Sequence, residues 1–160
     1  HKPVYNLECR EEELIMAGIV CAVRGGPASQ PTIARAIELA VETGRDLYFL
    51  YVVNLDFMAH TSTSRVHTIS QEMHEMGEFI LLSAQSQAEA QGVQARGFVR
   101  HGNVWDEIIC LGQEKNADFI LLGKPKDQEG ALATHELLEA FSQRVEDETG
   151  ASIVLADAEV

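Results

Sequence analysis

The sequence predicts a single-domain α/β fold in which helices cover both faces of a parallel β-sheet. Five short apolar runs are spread along the 160 residues, and helix-like segments with an apolar stripe separate them. Most of these runs are nearly continuous instead of alternating with polar residues, which is typical of strands buried on both faces. Because strands that alternate with helices form right-handed βαβ units, we expect a three-layer open sandwich.

The first strand and the helix after it are predicted from the apolar run Ala17–Val23 and the residues that follow it. A glycine-rich turn closes the strand, and Ser29 or Gln30 begins the helix. Pro31 lies in the first helical turn, where a missing N–H does no harm. Gly44 ends the helix, as glycine often does.

The middle of the chain predicts a second strand, a long helix and a third strand. The second strand is Leu47–Val53, and residues 54–68, rich in Ser, Thr and His, are predicted to form a loop. A helix is expected over Ser70–Gln91, ended by Gly92, and a third strand over Val93–Arg100. The apolar positions of this helix are Met73, Met76, Phe79, Ile80, and Leu82 to Ala84.

The last third of the chain predicts two more helices and two more strands in alternation. A helix is predicted over Val104–Glu114 and a fourth strand over Phe119–Leu122. Another helix is expected over about Leu132–Glu148, and a fifth strand over Ser152–Ala156. The chain therefore predicts five strands connected by helices.

Composition limits the classes of partner. The net charge of −13, from 25 acidic and 12 basic residues, disfavours binding to nucleic acids or anionic membranes. No apolar run approaches the roughly 18 residues of a membrane span, and the N-terminus lacks a signal-peptide layout. Residues 1–16 show no clear periodicity, so they are predicted to be an extension or linker to a domain at 17–160. Cys21 and Cys110 lie in apolar runs and are predicted to be reduced core residues of a cytosolic protein.

Several stretches, in this order, resemble the universal stress protein (UspA-like) family. They are "GIVCAVRGG", "LYFLYVV", "VRHGNVWDEIICLGQEKNADFILLG" and "FSQRVEDETGASIVLA". The resemblance implies a Rossmann-like, adenine nucleotide alpha hydrolase-like sheet ordered 3-2-1-4-5. It also implies a cytoplasmic, non-enzymatic regulatory domain in the stress response. A two-fold homodimer is implied through the last strand, Ser152, Ile153, Val154, Leu155 and Ala156.

The implied strand order places a ligand cleft between strands 1 and 4, where open α/β sheets bind ligands. The candidate cleft residues are Val23, Arg24, Gly25, Val52, Gly123, Lys124, Lys126 and Gly130.

The nucleotide motif of the family is altered in this chain. ATP-binding members resemble one another in a Gly-x2-Gly-x9-Gly-Ser/Thr pattern, whose glycines let backbone N–H groups approach phosphates. Gly123 matches the first glycine, but Lys126 stands at the second. Glu139 and Ala140 align with the final pair, after a longer spacing, and Arg24 replaces the usual aspartate. ATP binding in the usual manner is therefore not expected.

Three interpretations of the cleft stay open at this stage. The favoured one is that the lysines are solvated, that Arg24 pairs with Asp127 or Glu129, and that no cofactor binds. In the second, the basic residues around the cleft, with Arg100 and His101 near the same edge of the sheet, take an altered anionic ligand such as AMP or another phosphorylated metabolite. The third is ordinary ATP binding.

Other candidate chemistry has weaker support. His60, His67 and His74 recur every seven residues, a spacing at which His67 and His74 could share a helix face. Because metal sites on helices favour a spacing of four, exposed histidines and no metal are the prediction. No nucleophile motif surrounds Ser29 or Ser142, which disfavours hydrolase chemistry.

Overall fold

The computed structural model describes residues 18–24, 29–55, 62–123 and 131–156, the side chains of 131–135 excepted. The strands are β1 (Ile19–Ala22), β2 (Leu47–Val53), β3 (Ala95–His101), β4 (Phe119–Gly123) and β5 (Ser152–Ala156). The helices are α1 (Gln30–Thr43), α2 (Thr63–Ala90), α3 (Val104–Glu114) and α4 (Ala131–Thr149). All paired strands are parallel and form one five-stranded sheet ordered β3-β2-β1-β4-β5. The predicted fold class and strand order are confirmed.

The two faces of the sheet carry separate hydrophobic cores. Alternate strand residues, such as Ile19 and Phe49, point to one face and pack under α1 and α2. Their neighbours, such as Val20 and Leu50, point to the other face and pack under α3 and α4. Both sets are buried because strands in the middle of a parallel sheet are covered on both sides. This explains why the runs in the sequence were almost continuously apolar.

One boundary prediction is wrong by about two helical turns. The structure places residues 63–68 in α2, whereas the sequence predicted a loop over 54–68. Most residues of this first part of α2 are exposed. Since that part of the helix has no buried face, no apolar periodicity marks it in the sequence. Residues 56–61 of the predicted loop lie outside the described residues.

The orientation of α2 also corrects the predicted core. Its buried residues are Gly77, Leu81, Ala84 and Ala88. These small side chains bring the helix close to the sheet, and a Cβ at Gly77 would collide with the ring of Tyr51 on β2. Met76, Phe79 and Leu82, predicted as apolar positions of the helix, are exposed by 55%, 73% and 62%.

The two cysteines of the described strands and helices differ in environment. Cys21 on β1 is fully buried, and burial raises the pKa of its thiol. Cys110 on α3 is exposed, so its assignment to the core was wrong. The helix turns about 100° per residue, which carries Cys110 outward although Ile109 and Leu111 on either side are buried. Both thiols are free.

None of the helices in the described part of the chain is long and apolar enough to cross a membrane. The predicted extension at residues 1–16 lies outside the described residues.

Candidate functional site

A topological switch lies at the carboxyl ends of β1 and β4. These two strands pair directly, and the helices that follow them lie on opposite faces of the sheet. Chains that diverge in this way leave a crevice between the two strand ends, the usual ligand position in open α/β sheets. The crevice is therefore the candidate site, as the sequence predicted.

The first wall of the crevice follows β1. Val23 is buried and donates its backbone N–H to the carbonyl of Leu50 at 2.9 Å, which fixes the strand end. Arg24 comes next and is exposed. Its backbone N–H donates to the Oγ of the buried Ser29 at 3.1 Å, just before α1 begins. The backbone of Arg24 is thus held in place while its guanidinium remains accessible at the rim.

The second wall is the end of β4. Gly123 pairs with Ala156 and faces the first turn of α1, where a Cβ would lie 3.0 Å from Thr32 Oγ1. Thr32 is buried, so a side chain at position 123 would crowd the Thr32 hydroxyl at the start of α1. Gly123 therefore has a packing role that is independent of any phosphate.

The other predicted cleft residues have different outcomes. Val52 is half-buried near the end of β2, and it packs against the core beneath α3 and α4. It lies one strand away from the β1–β4 crevice. Gly25, Lys124, Lys126 and Gly130, with the proposed Arg24 partners Asp127 and Glu129, lie outside the described residues. Their roles stay predictions.

Arg100 does not add free positive charge to this edge of the sheet. Its Nη2 lies 2.7 Å from Glu114 Oε1, and its Nη1 lies 3.6 Å from Glu107 Oε1, both on α3. Hydrogen bonding with Glu114 raises the pKa of Arg100, and the same contact lowers the pKa of Glu114. Two carboxylates therefore offset the positive charge that the second interpretation attributed to Arg100.

Cys110 belongs to the same cluster on α3. Its Sγ lies 3.4 Å from Glu114 Oε2, and this hydrogen bond raises the pKa of the thiol. A raised pKa leaves less thiolate near neutral pH and makes the thiol a poorer nucleophile.

The position at which the helix after β4 begins affects the altered nucleotide motif. The family pattern puts its last Gly-Ser/Thr pair at a helix N-terminus, where free N–H groups bind phosphate. Here α4 begins at Ala131, so Glu139 and Ala140 lie about two turns inside it. The backbone N–H groups at these positions are therefore occupied by helical hydrogen bonds. The helix that the sequence predicted over about Leu132–Glu148 already enclosed Glu139 and Ala140.

A second polar cluster outside the crevice was missed. His74 on α2 and His101 at the end of β3 bring Nδ1 and Nε2 to 2.9 Å, with ring planes 21° apart. Sequence spacing grouped His74 with His67, because contacts between a helix and a strand have no local sequence signal. The prediction that His60, His67 and His74 are exposed holds for His67, whereas His74 is half-buried and His60 lies outside the described residues.

The chain is similar to known proteins over most of its length. Residues 16–149 match the model of the universal stress protein family. A universal stress protein of Methanocaldococcus jannaschii is 27% identical over 121 residues, 75% of this chain and 71% of that protein.

Solved structures of low identity share the fold. UspA from Lactobacillus plantarum superposes with a TM-score of 0.69 at 15% identity, covering 88% of this chain and 97% of that one. A universal stress protein from Archaeoglobus fulgidus, solved in complex with dAMP, has a TM-score of 0.53 at 16% identity, covering 89% and 98%. The family match, the strand order and the crevice agree, and the chain belongs to the universal stress protein family.

Proposed function

We propose that this protein is a homodimeric, cytoplasmic and non-enzymatic regulatory domain of the stress response that does not bind ATP in the usual manner of its family. The observation that carries the proposal is the start of α4 at Ala131, which places Glu139 and Ala140 inside the helix. Without a helix N-terminus at this pair, two of the usual phosphate-binding N–H groups are lost. The test is calorimetric titration with ATP, with and without magnesium, for which we expect no saturable binding at micromolar concentration.

The proposed dimer is supported by the free edge of β5. This strand pairs with β4 alone among the described strands. Ser152 donates its N–H toward β4, to the carbonyl of Asp118 at 2.9 Å. Since strand backbone groups alternate in direction, the N–H groups of Ile153 and Leu155 face away from the sheet. They are available to the same strand of a second copy across a two-fold axis.

Leu155→Pro is expected to convert the dimer to a monomer. Proline removes an N–H on the free edge and leaves the β4 side of the strand intact, a position where edge strands tolerate it. Size-exclusion chromatography with light scattering gives the mass directly. Leu155→Thr is the matched control because it keeps the N–H, and it should remain dimeric. A dimeric Leu155→Pro variant would rule out pairing through this edge.

A second candidate function is sensing of an adenine nucleotide or another phosphorylated metabolite in the remodelled crevice. Two observations favour it. The exposed guanidinium of Arg24 stands at the rim of the crevice in a strongly acidic protein. The similar Archaeoglobus fulgidus protein was solved with dAMP. A local positive charge in an acidic field attracts anions.

The sensing alternative predicts that Arg24→Glu and Lys126→Glu each weaken AMP binding about tenfold or more, because each reverses a charge near a phosphate. The melting temperature should change little, since Arg24 is exposed. Arg96→Glu is the matched control. It makes the same change of charge, but at a residue near the amino end of β3. AMP binding measured by calorimetry that is equal in all four proteins would reject this alternative.

A further inference from the structure

The contact between His74 and His101 joins α2 to the edge strand β3. The two facing nitrogen atoms, Nδ1 of His74 and Nε2 of His101, lie 2.9 Å apart. At this separation two neutral imidazoles share a single proton, one ring donating an N–H and the other accepting through its lone pair. A metal ion that replaces this proton would lie to one side of the line between the two nitrogens, with each ring turned so that its lone pair points at the ion.

From this geometry we propose that His74 and His101 form a two-histidine site for a divalent late transition-metal ion that prefers right angles between its ligands, the class of Ni²⁺ and Cu²⁺. Imidazole nitrogen suits these ions, which favour square or octahedral arrangements. With metal–nitrogen bonds of about 2.1 Å, adjacent ligands at 90° are about 3.0 Å apart, and tetrahedral ligands are about 3.4 Å apart. The observed hydrogen-bond separation of 2.9 Å is closer to the right-angle value than to the tetrahedral one, so right-angle ligands need the smaller movement of the rings.

The surroundings of the pair suit a metal ligand. The other ring nitrogen of His74, Nε2, lies 3.5 Å from Glu78 Oε2, one helical turn further along α2. A carboxylate near the far nitrogen favours the tautomer with its proton on Nε2, which leaves Nδ1 to bind the metal. Glu78 is therefore a positioning residue for this site.

The protein supplies two ligands, and water supplies the others. In the part of the chain that the structure describes, no group of three or more His, Cys, Asp or Glu side chains converges on a metal position. The His74 side chain is 39% exposed and borders an open groove between α2 and β3. Water therefore reaches the remaining coordination positions, and the exposed rings can turn so that both lone pairs point at the ion.

Metal binding at this position would fasten the long helix to the sheet. β3 pairs with β2 alone among the described strands, so His101 lies at the end of an edge strand. An ion that binds the folded chain and bridges two elements raises the stability of the native state. We expect the melting temperature to rise with metal concentration and to fall back when a chelator is added.

The test is calorimetric titration of the full chain with NiCl₂ near pH 7.5, repeated on alanine variants. We expect one Ni²⁺ per chain in the wild-type protein and at least a tenfold loss of affinity in both His74→Ala and His101→Ala. The double variant should bind no more weakly than either single one, because one remaining imidazole adds little. Circular dichroism checks that each variant is folded.

The matched control is His67→Ala, which removes an exposed histidine from the same helix two turns earlier. It should bind Ni²⁺ as the wild type does. Glu78→Gln should lose about threefold to tenfold, less than the usual 10–100-fold for a supporting carboxylate because this one is exposed. Wild-type affinity in His74→Ala or His101→Ala would overturn the proposal, and so would a wild-type chain that binds no Ni²⁺ and only shares a proton between the rings.

Discussion

Replacing Phe49 with alanine is expected to lower the free energy of unfolding by about 3–5 kcal/mol. Phe49 is fully buried in β2, between β1 and β3, and its ring lies in the core beneath α1 and α2. Alanine would lose the transfer energy of the ring and leave a cavity that packed strands cannot close. For a chain of this size the melting temperature should fall by roughly 6–20 °C.

The matched control is the same substitution on the surface. Phe79→Ala removes a ring that is 73% exposed on α2. We expect a change within about 0.5 kcal/mol, as for most surface substitutions. Urea unfolding of the two variants measures the difference. Equal losses would mean that the outer face of α2 is buried in the protein in solution, or that Phe49 is not.

Most of the elements were predictable because each depends on a local signal, whereas the strand order was implied by the family resemblance. β2, β5 and α3 have the bounds that the sequence predicted. A strand in the middle of a parallel sheet must be apolar on both faces, and Gly44 marks the end of α1 with a positive φ of 73°. The residues that produce each of these signals lie close together in the sequence.

Other features depend on contacts between distant parts of the chain. The apolar residues of α2 surround the helix, and its packing against the sheet, such as the fit of Gly77 against Tyr51, decides which of them are buried. The pairing of His74 with His101 likewise depends on a contact between distant parts of the chain. Periodicity cannot distinguish an apolar residue that faces the core from one that faces solvent when both kinds lie on one helix.

In the candidate site, too, some features follow from local sequence signals and others depend on contacts between distant residues. The positions of Val23, Arg24 and Gly123 followed from the strand ends, which the sequence marks. The neutralisation of Arg100 by Glu107 and Glu114 did not, because it needs the packing of α3 beside β3. Counting basic residues near a cleft in the sequence therefore leaves out the carboxylates that the fold places beside them.

ATP affinity is expected to be at least a thousandfold below that of a site with the complete motif. In the usual arrangement a helix N-terminus and glycine N–H groups bind the phosphates. Here α4 has its N-terminus at Ala131, and the aligned N–H groups of Glu139 and Ala140 are used inside the helix. Each lost charge-assisted hydrogen bond costs about 1.5–3 kcal/mol, so two of them cost roughly 3–6 kcal/mol.

Repulsion by Glu139 is the smaller contribution. A carboxylate 4 Å from a phosphate charge costs about 4 kcal/mol at an effective dielectric of 20 and about 1 kcal/mol in water. Because Glu139 is exposed, the lower figure is the better guide. Helix geometry is therefore the main reason for the loss of ATP binding, and charge is secondary.

A charge-removing variant separates these two causes. Glu139→Gln abolishes the repulsion and leaves α4 in place, so we expect it to remain without micromolar ATP binding. If this single change produced saturable binding, the charge would be the obstacle and the helix would not.

The most direct test of the remodelled cleft is calorimetric titration of the wild-type chain with ATP, with and without magnesium. We predict no saturable heat with ATP concentrations up to several hundred micromolar in either condition. Binding of one ATP per chain with a micromolar dissociation constant would contradict a remodelled cleft.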